Sequence, residues 1–282
     1  MLSLEKDERR IISNSKVKIG LEAMRESPME RKIQGTFSAD MRKIEVCCTS
    51  LDEVREAAAG GAVRVELCTA ITCGGVTPSH GMIQSVVEAA LGVDVNVLIR
   101  ARDGGFCYSA AEVETMCRDI EYCRAAGVHG VVIGALTPEG DLDMEACRRM
   151  GAAASGMSIT FHRAFDICNK PLEALEQIIE LGCERLLTSG QESTAEMGAA
   201  FIAQLVERAA GRIIIMPGAG VKPNNIARIE QVSGATEFHS TAAVDAQDCA
   251  YRGHAVSFAA YPQREGIIRH SAREVVAQLV GR

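Results

Sequence analysis

The chain has 282 residues, 47% hydrophobic and 24% charged, with a formal net charge of −7. This balance suits a globular protein with a full core. It excludes a general nucleic-acid binder, since no Lys/Arg cluster stands out, Trp is absent and aromatics are only 4%.

Residues 1–40 are charged and weakly periodic, and they lack the apolar run of a secretory signal. They read as an extension, disordered or loosely docked, ahead of the folded region. From Met41 a unit recurs: a short β-branched run, a polar or Gly-containing loop, then an amphipathic helix. The strands are expected at 44–48, 63–67, 95–99, 130–133, 158–161, 185–187, 213–216 and 237–239. Helices are expected near 52–59, 80–91, 110–126, 143–154, 171–181, 195–210, 223–232 and 272–280. Asp52 and Ser109 stand at N-cap-like positions, Pro171 fits the first helical position, and Gly60, Gly127 and Gly182 follow helix ends. Eight alternating units with no long linker predict an α/β fold: a single (β/α)8 TIM-type barrel over 41–282. An open doubly wound sheet usually has a Gly-rich turn after its first strand, and Cys47-Cys48-Thr49-Ser50 has none.

No apolar run reaches the roughly 18–20 residues a membrane helix needs. The eleven cysteines are odd in number, and Cys117, Cys123, Cys147 and Cys183 lie in apolar runs. That is the pattern of free thiols in a reduced, intracellular protein. The stretch from Val244 to Ser271 is long for a strand-to-helix connection and reads as a lid, a dimer contact or a surface loop.

Strand side chains alternate with period two. With Ile44, Val46, Val65 and Leu67 facing the helices, Glu45, Cys47, Arg64, Glu66 and Cys68 face inward. The same count places Arg100 and His162 at the ends of strands 3 and 5, and Glu237 and His239 on strand 8. Barrel interiors are normally branched aliphatics, so these charges must neutralise one another. They form either a network that only fixes the barrel or a polar cup for a small ligand. Their position at the C-terminal strand ends favours the cup.

Arg100 and Arg102 flank a flexible loop as a clamp for a carboxylate or phosphate would. His162 is a titratable group, with Asp166 four residues on as its expected orienting partner, and Glu66 is a second candidate acid or base. Gly218 and Gly220 after strand 7, and His239 and Ser240 on strand 8, occupy the usual barrel anion site.

Several strings resemble the CutC family, named for copper homeostasis. They include Ile44-Glu45-Val46-Cys47, Val63-Arg64-Val65-Glu66-Leu67-Cys68, Gly74-Gly75-Val76-Thr77-Pro78-Ser79 and Phe161-His162-Arg163-Ala164-Phe165-Asp166. The resemblance runs from about Met41 to His239. It implies a TIM-type barrel, a cytoplasmic location, a homodimer and a Cu(I) role for Cys47 and Cys68. Cu(I) is soft and prefers thiolates, and Cys48 or Cys73 are the candidates for a further ligand. This chain departs from the family pattern at Cys73, usually acidic, at Ala101, usually proline, and at His80, usually apolar. The alternative to copper handling is an enzyme acting on a small anionic, phosphorylated or sugar-like metabolite. In it Glu45, Arg100 and Arg102 hold the ligand, and Glu66, His162 and Asp166 do the chemistry.

Overall fold

The computed structural model describes residues 41–249, 256 and 266–281. The extension at 1–40 and most of the stretch between Cys249 and Gly266 lie outside the described residues. Eight parallel strands alternate with helices in a nearly closed barrel. The strands are β1 (Lys43–Cys48), β2 (Arg64–Leu67), β3 (Asp94–Leu98), β4 (Gly130–Ile133), β5 (Ser158–Phe161), β6 (Arg185–Thr188), β7 (Ile214–Pro217) and β8 (Glu237–Ser240). The helices are α1 (Leu51–Gly60), α2 (His80–Glu88), α3 (Ala110–Ala126), α4 (Met144–Ala153), α5 (Pro171–Glu180), α6 (Ala199–Ala209), α7 (Ile226–Ser233) and α8 (Arg273–Val280).

Local chemistry sets these boundaries. Ser50, rather than Asp52, caps α1 by accepting from the Glu53 amide. Ser109 and Glu112 form a reciprocal capping box on α3, and Pro171 opens α5. The expected helix over 195–210 begins only at Ala199. Residues ahead of it serve the β6 loop instead, where the Met197 amide donates to Thr194 Oγ1 at 3.3 Å.

Ile44, Val46, Val65, Ile133, Phe161 and Phe238 are fully buried between the sheet and the helix ring, against Ile83, Met116, Ile120 and Leu175. Each such side chain contributes about 1.5–3 kcal/mol through burial. Because this outer layer takes the apolar residues, the opposite parity turns toward the axis. Arg64 of β2 bonds Glu45 of β1 and, at 2.8 Å, Glu237 of β8. Arg185 of β6 reaches the same Glu237 carboxylate at 2.9 Å. Two acids and two guanidiniums therefore meet across the base of the barrel.

That network crosses the weakest part of the sheet. The hydrogen-bonded order ends with β7 on one side and β8 on the other, so backbone pairing does not join them. Side chains do so instead: Arg185 spans from β6 to Glu237, and Ser240 Oγ donates to the Val221 carbonyl at 2.8 Å. Gly218 allows the approach, because a Cβ there would overlap Leu187 and sit 3.4 Å from His239.

The stretch after β8 holds a feature the periodicity did not predict. Ala243–Gln247 (β9) and Ile267–Ser271 (β10) pair antiparallel as an arm beyond the barrel strands. Among the described residues, no helix is long and apolar enough to cross a membrane.

Removing one member of a buried ion pair costs about 3–5 kcal/mol, whereas an exposed pair contributes about 1 kcal/mol or less. Arg64→Met should therefore lose about 3–5 kcal/mol in urea unfolding. Arg148→Ala, which breaks the exposed pair with Glu180, should lose no more than about 1 kcal/mol. Equal losses would contradict the assignment.

Candidate functional site

A cavity of about 740 Å³ opens at the C-terminal ends of the strands. Its lining includes Cys47, Glu66, Arg100, His162, His239 and Ser240, with Gly220 from the loop after β7. The β1 and β2 register sets Cys47 beside Glu66, and Cys68 follows one step above. Cys47 Sγ and Cys68 Sγ lie 3.4 Å apart, both buried, packed with Leu98 and Val132. Ligand atoms of Cys47, Glu66 and His239 all lie within 4.8 Å of one another.

β8 returns beside β1, so His239 meets Glu45. Its Nδ1 is 2.8 Å from Glu45 Oε1, and its Nε2 lies 3.6 Å from Glu66 Oε2. Burial pushes the Glu45 carboxyl up, but His239 and Arg64 together outweigh it and hold the group at about 2. Burial alone would lower His239, yet Glu66 and Glu45 raise it above its ordinary value. Among the described residues no guanidinium pairs with Glu66, and burial pushes its carboxyl up. The Cys47 thiol is pushed well up by its bond to Cys68, then by burial and by Glu66.

His162 lives in the opposite environment. Gly134 leaves it room, since a Cβ there would lie 2.5 Å from the ring. The Ala164 amide donates to His162 Nδ1 at 3.2 Å, so a neutral ring carries its proton on Nε2. That Nε2 is buried and has no hydrogen-bond partner among the described residues. Burial lowers the group to about 3.

Arg100 is buried at the end of β3. It donates to the carbonyls of Cys73, Gly75 and Gly104. Gly75 makes this possible: its backbone is left-handed, at φ +85°, and a Cβ would press on Leu98 at 2.8 Å. The guanidinium also stacks on Phe106, 5.1 Å from the ring centre.

Several expected site residues lie elsewhere. Asp166 does not orient His162: it accepts from Ser189, both amide and hydroxyl, from Thr188 and from Arg163, and so fixes the β6 loop. Arg102 is not part of a clamp. Glu112 and the carbonyls of Asp103, Gly105 and Cys107 occupy its donors, and it bounds no part of the cavity. Gly218 and Glu45 also lie outside the lining and act through their neighbours. Cys48 faces the outer core rather than Cys47, donating to the Val46 carbonyl, and Cys73 donates to the Ala70 carbonyl at the cavity mouth. His80 stacks on Tyr122 at the surface. The Glu45–His239 contact was missed by sequence reasoning. Its signal was the inward parity of both residues together with the pairing of first and last strands that barrel closure imposes.

A profile of the CutC family matches residues 42–244. The chain belongs to the CutC family. A CutC family protein of Parabacteroides distasonis is 55% identical over 201 residues, covering 71% of this chain and 83% of that protein. Another from Bacteroides thetaiotaomicron is 48% identical, covering 76% and 87%. Among solved structures, a CutC protein of Streptococcus agalactiae superposes with a TM-score of 0.69 at 32% identity, covering 71% of this chain and 99% of its own. Its name refers to copper homeostasis. Thiamine phosphate pyrophosphorylase from Pyrococcus furiosus, at 14% identity and a TM-score of 0.51, shares the fold alone. In this CutC-family chain Glu66 of the string Val63–Cys68, and His162 and Arg163 of the string Phe161–Asp166, line the cavity.

The His162 shift has a definite sign. A histidine whose folded pKa is depressed to about 3 contributes stability that is present above its unfolded pKa and is lost as pH falls below it. Between pH 7 and pH 5 the wild type should lose roughly 2 kcal/mol more than His162→Gln, read from urea unfolding at each pH. Parallel losses would show that the ring titrates normally.

Proposed function

We propose that this protein binds Cu(I) as cargo on Cys47 and Cys68, and so serves copper homeostasis in the cytoplasm. One observation carries the reading: two buried thiols 3.4 Å apart, with Cys47 on the wall of an open cavity and Glu66 and His239 beside it. The donors fit a soft ion. Thiolates suit Cu(I), while the carboxylate is a hard ligand and ranks behind them. Metal–sulfur bonds of about 2.3 Å set two ligand sulfurs about 3.8 Å apart at a tetrahedral angle, and wider at larger angles. The pair therefore opens by a few tenths of an ångström or more on binding.

The surroundings decide when the thiols ionise. Cys47 keeps its proton in the metal-free protein, because Cys68, burial and Glu66 all disfavour the thiolate. Binding must displace that proton, so affinity rises with pH. His239, whose charged form Glu66 and Glu45 favour, stands beside Cys47 and is held in place by Glu45. All eleven cysteines are free, which suits a reducing compartment. The enzymatic reading built on His162 and Asp166 has lost its orienting contact and is not favoured.

Anaerobic Cu(I) titration against a chromophoric chelator tests this. The wild type should take up one tightly held Cu(I) per chain, and each of Cys47→Ser and Cys68→Ser should weaken it at least tenfold. A variant lacking the exposed thiols Cys107 and Cys249 should bind like the wild type. Undiminished uptake by Cys47→Ser/Cys68→Ser would overturn the proposal.

A further inference from the structure

We propose that the same cavity holds a second site, for the carboxylate or phosphate of a small metabolite, with Arg100 as its cation and His162 Nε2–H as its donor. The inference does not depend on copper binding.

The cavity is far larger than a metal ion requires. At about 740 Å³ it falls within the range of small-molecule pockets, about 300–1,000 Å³. Its charge is the reverse of the chain's. Arg100, Arg163, Lys222 and Arg269 contribute to the lining, against the single carboxylate of Glu66, in a protein of net charge −7. Arg163 is matched by Asp166.

Arg100 is the decisive residue. A buried charge without a partner is costly, so buried arginines normally face carboxylates. Arg64 and Arg185 do so here. Arg100 is 5% exposed, yet among the described residues it meets only neutral groups, the carbonyls of Cys73, Gly75 and Gly104 and the Tyr108 hydroxyl. Its positive charge is left for a ligand. Those carbonyls fix the guanidinium in place, so no rotamer entropy is lost when the ligand arrives.

His162 supplies the complementary group. Its Nδ1 is occupied by the Ala164 amide, and its Nε2 is a buried donor with no acceptor among the described residues. A neutral imidazole donates to an oxyanion without adding charge. Phe106 packs against both residues, with its ring centre 4.8 Å from the imidazole and 5.1 Å from the guanidinium carbon. The two groups thus flank one aromatic wall. Tyr108, whose buried hydroxyl faces Arg100, is not a lining residue.

The test uses the copper-free, reduced full-length protein at constant ionic strength. Inorganic phosphate and malonate are titrated separately while the 15N resonance of His162 Nε2 and the thermal midpoint are followed. At least one anion should shift both saturably, and the stronger of the two identifies the ligand class. Because Arg100→Gln also removes the brace on two loops, the informative pair is His162→Phe and His162→Gln, each verified by circular dichroism. The phenylalanine variant should bind about tenfold more weakly, and the glutamine variant, which keeps a donor, should recover part of the loss. Absence of a saturable response to either anion, or wild-type affinity in His162→Phe, would overturn the site.

Discussion

Arg64 is the interaction around which the barrel is organised. Its guanidinium bonds Glu45 on one neighbouring strand and Glu237 on the strand beyond. Arg185 completes the set from β6. No member of the set could be buried alone, since an isolated charge in a dry interior costs more than most single contacts return. Together they satisfy one another and link β8 to β2 and β6, where the backbone ladder stops. The polar base is therefore a means of closure as well as a consequence of strand parity.

The site above depends on that base. Glu45 is held ionised by Arg64 and in turn orients His239, whose far nitrogen faces Glu66 and the cavity. Two histidines on the same face are consequently shifted in opposite directions. His239 sits between two acids and is raised, while His162, buried against Phe106 and Phe161, is lowered. One residue type thus has its charged form favoured beside Cys47 and its neutral form favoured beside Arg100. A cavity divided in this way has a thiol, Cys47, and a fixed guanidinium, Arg100, on its wall.

Much of this was legible in the residues. Period-two alternation in Ile44–Cys48 and Val63–Cys68 predicts which side chains turn inward, and barrel closure brings Glu45 to His239. The β7 boundary moved by one residue and the start of α6 by four, because Pro217 ends a strand and Ser189 to Gly198 belong to the β6 loop. Asp166 and Arg102 were misread for a common reason. Spacing along the chain shows that a charge is near, but not which neighbour meets it first. The amides and hydroxyls of the β6 loop reach Asp166, and the carbonyls of its own loop reach Arg102. The β9–β10 arm had no apolar alternation to announce it, since β9 is largely exposed on both faces.

The central claim is that the inward carboxylates are paired rather than solvated, and Glu45 reports on it most directly. Carbon-13 NMR of its side-chain carboxyl should show the ionised form persisting as pH falls through 4.5, down to about 2 for as long as the fold survives. A midpoint near 4.5, as for a carboxylate in water, would mean that Arg64 and His239 do not hold it. The barrel's charged base, and the site built on it, would then have to be abandoned.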